Sequence, residues 1–112
     1  MDDYREGSMA RQAFRMQLKA GMAAEYRARH DAIWPELVDL LREAGISDYW
    51  IFLDEATGAL FATLELADDN QRDRLPASSI MQRWWESMAP LMETQADHRP
   101  LEWALTPMFH MA

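Results

Sequence analysis

At 112 residues, 49% of them hydrophobic, the chain is one domain with enough apolar side chains for a core. Its net charge of −8, with no basic cluster, argues against nucleic acid and anionic membranes as partners, since both select clustered Lys and Arg. Zero cysteines exclude disulfides, thiolate nucleophiles and cysteine-held metals; with no membrane-span-length apolar segment and no apolar leader, a cytoplasmic protein is expected.

Met1 to Ser8 carry no hydrophobic period, and residues 1–10 are expected to form a flexible tail before a single domain spanning 11–112. From Ala13 to Leu18, Phe14, Met16 and Leu18 alternate with Ala13, Arg15 and Gln17, the pattern of a half-buried strand. Gly21 marks the turn out of it. A helical pattern runs from about Met22 to Ala44, but Pro35 interrupts it. Proline blocks a helix interior and pushes the preceding Trp34 away from helical angles. Two helical pieces are therefore predicted, with a break near Asp31 to Trp34 and His30 close to the end of the first. Gly45 stands where a C-terminal glycine is expected.

Tyr49 to Leu53 reads as a strand, Asp54 to Gly58 as a turn and Ala59 to Leu66 as a second strand, together a hairpin. Asp68-Asp69-Asn70 opens a polar stretch with a short helix to Arg74. Pro76 and Ser78-Ser79 then start a second main helix, whose apolar flank runs through Ile80, Met81, Trp84, Trp85 and Met88 to about Leu91. After a polar loop with Pro100, Glu102 to His110 reads as a strand, placed at an edge by Pro107. The order is βαββαβ: an α+β fold of the ferredoxin-like kind, an antiparallel sheet with helices on one face. The other face is left open, and dimerisation is a natural way to cover it. Nine methionines fit core filling and an oligomer surface better than a metal cluster, because their positions show no compact spacing.

Tyr26, His30 and Trp34 stand four residues apart, so a helix brings them to one face. Histidine is the side chain whose ordinary pKa, about 6.5, lets it both give and take a proton near neutrality. It is the candidate acid/base, although a lone His on an apolar face is also a common core residue. Gln82-Arg83-Trp84-Trp85-Glu86 is the second constellation. Adjacent indoles on a helix point in different directions. One is expected in the core, and the other can line a cavity where its flat ring packs on the C–H face of a sugar. Tyr49 can add a hydroxyl or be an ordinary strand aromatic. His30, His98 and His110 show no metal-ligand spacing, four glycines form no phosphate loop, and no serine sits in a nucleophile motif.

Taken together, Tyr26-x-x-x-His30-x-x-x-Trp34-Pro35-Glu36-Leu37, then Tyr49 with Ile51-Phe52-Leu53-Asp54, then Gln82-Arg83-Trp84-Trp85 resemble the L-rhamnose mutarotases over about residues 11 to 110. The eight-residue N-terminal extension departs from the shorter members. The resemblance implies a cofactor-free isomerase that interconverts the α and β anomers of the monosaccharide L-rhamnose. It also implies a homodimeric α/β barrel built from ferredoxin-like subunits. By position His30 matches the family's proton donor, and Tyr26, Tyr49, Trp84 and Trp85 match its sugar-binding residues. Three other readings stand beside it: a cofactor-independent monooxygenase of the same dimeric shape, a non-catalytic ligand-binding module, and a dimerisation domain with a packed histidine.

Overall fold

The first long strand extends further than its apolar alternation. The structure is a computed structural model that describes residues 5–6 and 9–112, and in it β2 spans Met9–Gln17, four residues earlier than the predicted start at Ala13. Its ladder with β4 (Ala59–Ala67) runs unbroken from Met9↔Ala67 to Gln17↔Ala59. Backbone hydrogen bonds carry that pairing, so it continues where the side chains cease to alternate. A two-residue strand, β1 (Arg5–Glu6), pairs with Ala10 and Met9. The flexible tail expected over residues 1–10 falls at 1–4 and 7–8 outside the described residues; Arg5–Glu6 and Met9–Ala10 are strand.

The break at proline is where the sequence put it. Helix α1 (Ala23–Asp31) ends, Trp34 adopts extended angles (φ −65°, ψ 128°), and Pro35 opens α2 (Pro35–Glu43) at its first position. There the missing N–H costs nothing. Gly45 follows at φ +87°. A Cβ at Gly45 would lie 3.0 Å from Asn70, so the turn from α2 into β3 (Ile46–Asp54) requires glycine for angle and for space. The hairpin to β4 is closed by the Gly58 N–H donating to the Asp54 carbonyl (2.8 Å), with the Asp54 carboxylate accepting from the Ala56 N–H and the Thr57 hydroxyl.

Three later boundaries differ from prediction. The short helix expected before Arg74 is a 3₁₀ turn over Arg72–Ala77. Helix α3 (Ser79–Met88), capped by the Ser78 hydroxyl, stops three residues before Leu91; Ala89–Leu91 form a 3₁₀ turn around Pro90, which cannot continue an α-helix. The final strand, β5, is only Trp103–Leu105 instead of Glu102 to His110, and residues 106–112, with Pro107 among them, form no ladder.

All pairings are antiparallel, and the main strands lie in the order β5–β2–β4–β3. Because β4 occupies one whole edge of β2, β1 and β5 share the other. Phe14, Met16, Leu18, Leu60, Ala62 and Leu64 are buried together with Leu37 of α2 and Met81, Trp84 and Met88 of α3. Each such Leu removed from water contributes on the order of 1.5–3 kcal/mol. Residues of the opposite parity pair across the other face: Phe52 faces Phe61, Phe61 faces Arg15, and Arg15 faces Trp103. That row remains exposed, Phe52 at 54% and Trp103 at 42%.

Candidate active site

His30 sits in the last turn of α1, and the helix itself orients its ring. Nδ1 lies 3.1 Å from the carbonyl oxygen of Tyr26, one turn earlier. A carbonyl only accepts, so Nδ1 donates and carries the proton of the neutral ring. The phenol ring of Tyr26 packs beside the imidazole at 4.4 Å between centroids, and the Trp84 indole of α3 meets it edge-on at 5.4 Å. Trp34, extended at the proline break, packs edge-on against Trp84 at 5.2 Å. Arg29 holds the two helices together: its Nε pairs with Glu25 one turn earlier (2.8 Å), and its Nη1 donates to the Ser87 carbonyl of α3. The spacing of four brings Tyr26 against His30, and the packing of α3 adds Trp84, with Trp34 behind them.

Tyr49 reaches the same side of the sheet through a bulge that the sequence reading missed. The β3–β4 register passes from Ser47↔Glu65 to Trp50↔Thr63, so two residues of β3, Asp48 and Tyr49, oppose one of β4. Asp48 takes a positive φ of +46°, an angle that Asp tolerates better than most residues. Its carboxylate accepts from Arg11 (2.6 Å) and from the Trp50 indole N–H (3.0 Å). The extra residue reverses the alternation, placing Tyr49 with Ile51 and Leu53 on the helix-covered face and Trp50 on the open one.

Electrostatics follow from this enclosure. Burial lowers the His30 pKa from its ordinary value, partly opposed by the Tyr26 carbonyl and by Asp31, so the ring favours its neutral form. Burial, and then Tyr49, push the Tyr26 hydroxyl up. Tyr49 keeps 40% of its surface exposed, but its hydroxyl end is withdrawn from water: burial, and then Glu102, raise it to about 12, with Arg72 opposing. Arg72 and Glu102 form an ion pair at 3.3 Å, and the Arg72 guanidinium lies 5.1 Å from the Phe14 ring. Nothing in the sequence announces a pair thirty positions apart; it exists because β5 folds back beside β2.

Trp85 does not join the His30 cluster. It is half-buried on the next flank of α3, with the Arg99 guanidinium 5.7 Å from its ring. It lines a separate open cleft of about 390 Å³ with Gln82, Arg83, Glu86 and Arg99. Among the described residues, no group of three or more His, Cys, Asp or Glu could hold a metal ion, and no helix is long and apolar enough to cross a membrane.

A half-buried histidine packed among aromatic rings fits several small-molecule chemistries, and comparison with known proteins decides among them. The family model for L-rhamnose mutarotase matches residues 11–111. The chain belongs to the L-rhamnose mutarotase family. A curated L-rhamnose mutarotase from a Jannaschia species is 57% identical, over 92% of this chain and 99% of that protein. The one from Sinorhizobium fredii is 56% identical, over 93% of this chain and all of its own. The crystal structure of the L-rhamnose mutarotase from Formosa agariphila superposes with a TM-score of 0.84 at 39% identity, covering 91% of this chain and 98% of that one. The enzyme is therefore an isomerase of sugar anomers, a mutarotase acting on L-rhamnose.

Proposed function

We propose that the enzyme exchanges the α and β anomers of L-rhamnose by acid/base ring opening and closure at His30, serving rhamnose metabolism. His30 protonates the ring oxygen and recovers the proton on closure. Tyr26 and Tyr49 offer hydroxyls to the sugar at His30 and Trp84 offers an apolar ring beside it, while Trp85, in the neighbouring cleft, would reach a sugar only from that side. The observation that carries this reading is the His30–Tyr26–Trp84 contact cluster within a chain matched to the family from 11 to 111. Ring opening requires proton transfers and rotation about C1–C2, so acid/base groups in a cavity suffice and no cofactor is invoked. General acid/base catalysis typically supplies about 10²–10⁴-fold, and mutarotation already proceeds in water, so one histidine meets the demand. A neutral sugar calls for no clustered cations, and the nearby Arg72 and Glu102 compensate each other's charge.

The strand order β5–β2–β4–β3 supports a ferredoxin-like subunit. The exposed row of Phe52, Phe61 and Trp103 supports a homodimer that closes two sheets face to face into an α/β barrel. A cysteine-free composition suits a cytoplasmic enzyme.

NMR magnetisation exchange between the L-rhamnose anomers tests the activity, with wild type and His30→Ala matched for folding by circular dichroism. The expected result is accelerated exchange that falls by about 10²–10⁴ in the variant. Sugar binding without acceleration by the wild type would instead mark a binding module.

A further inference from the structure

Opening a sugar ring moves two protons. One leaves the anomeric hydroxyl and one arrives at the ring oxygen. Two residues usually share such work. In this site, among the described residues, only one group titrates near neutrality. Tyr26 and Tyr49 are phenols whose ionisation is pushed further into the alkaline range by burial. Trp34 and Trp84 are indoles without acid/base capacity in water. Asp31, next to His30, is exposed to solvent, and Glu102 is paired with Arg72.

The state of His30 points the same way. Nδ1 is committed as a donor to the Tyr26 carbonyl, so in the neutral ring Nε2 holds a lone pair. Among the described residues nothing hydrogen-bonds Nε2, and it is not among the side-chain atoms that are both sealed from solvent and unpartnered, a condition met by the Nε of Arg99. It is open to a ligand. In this resting form the ring has no proton to give at Nε2 and must first take one.

We infer that His30 is a one-residue proton shuttle, whose Nε2 takes the proton of the anomeric hydroxyl and delivers that proton to the ring oxygen. The inference rests on the mutarotase reading and identifies the acceptor of the anomeric proton within it. Both oxygens are bonded to C1, so one nitrogen can serve them in turn. As Nε2 takes the proton from O1, C1=O1 forms and the C1–O5 bond breaks onto the ring oxygen, which the imidazolium then protonates. Rotation about C1–C2 presents the other face of the aldehyde, and the same steps in reverse close the ring and restore neutral His30. No oxidant, metal or second acid is consumed. Tyr26 and Tyr49 stay protonated throughout and hold the sugar.

Among the described residues, Tyr26 and Asp31 on α1 act on the ring, Trp84 of α3 adds no charge, and Tyr49 of β3 acts on Tyr26. The pH response of the reaction therefore belongs to His30. The test uses the intact protein with L-rhamnose. Ring ¹⁵N shifts of His30 should show Nδ1–H and an unprotonated Nε2 at neutral pH; the opposite tautomer overturns the shuttle. Anomer exchange should be lost as pH falls through the His30 ionisation followed in the same titration and retained above it; activity confined to the protonated ring overturns the shuttle. Tyr26→Phe and Tyr49→Phe, checked for folding, should raise KM and cost kcat far less than the 10²–10⁴-fold of His30→Ala. If either Phe variant loses as much as His30→Ala, a tyrosine shares the proton transfer and the shuttle fails while the mutarotase stands. If the wild type accelerates no exchange at all, the mutarotase reading fails and the shuttle with it.

Discussion

His30 illustrates how a residue's neighbours narrow what an ambiguous side chain can do. The four-residue spacing of Tyr26, His30 and Trp34 was legible in the sequence, but from spacing alone a core histidine was the commoner reading and an acid/base the rarer one. The ring's contacts and its backbone hydrogen bond set its tautomer and its surroundings, on which the proposed acid/base role rests. The lowered pKa also has a consequence for stability. The unfolded chain binds a proton at His30 more readily than the folded one, so this contribution is full above the unfolded value, about 6.5, and is lost as pH falls below it. Thermal melts of wild type and His30→Gln between pH 7 and about 5 should show the wild type losing more stability on acidification. The raised phenol acts at the other end. Tyr49's contribution is present below the unfolded value near 10 and is lost as pH rises through about 12, so Tyr49→Phe should soften the alkaline loss of stability.

Elements differ in how openly the sequence declares them. Pro35 and Gly45 act on their own backbones, so the helix break and the end of α2 were predicted where they occur. Gly45→Ala should destabilise by at least about 1–2 kcal/mol, from the positive φ alone, with the Asn70 contact at 3.0 Å adding to it; denaturant melts measure this. The bulge at Asp48 was not predicted, because it depends on the register against β4 and on Arg11, which lies on β2. Tyr49→Phe keeps the bulge and removes only the hydroxyl that it positions. Calorimetric titration with L-rhamnose should then show binding weakened by about tenfold or more, the loss of one good hydrogen bond, with the sheet still formed by circular dichroism. Unchanged affinity would remove Tyr49 from the sugar site.

Across the whole molecule, one sheet face is packed under helices and the other carries exposed aromatics. Trp50 stacks on Phe52 at 5.5 Å, and the Arg15 guanidinium lies 4.2 Å over Trp103. Met108, Phe109 and Met111 beyond β5 are also exposed, each by 79% or more. Such a surface suits a partner of the same shape. Phe52→Lys leaves the monomer's core untouched but would bury two charges across a two-fold interface, at a cost of several kcal/mol per ion. Sedimentation should show dimers for the wild type and monomers for the variant. A variant that stays dimeric would move the interface elsewhere.

What the sequence determined by itself is what adjacent residues enforce: strand alternation at Phe14-x-Met16-x-Leu18, the proline break, the glycine turn, and the spacing that puts Tyr26 over His30. These depend on backbone sterics and helical or strand period, which act within a few residues. The tertiary structure decided the rest. It set Trp84 against His30, turned Tyr49 inward through a bulge clamped from β2, paired Arg72 with Glu102, and sent Trp85 to a neighbouring cleft. Those relations join residues far apart in the chain, and only the closing of the sheet and the packing of α3 bring them within reach.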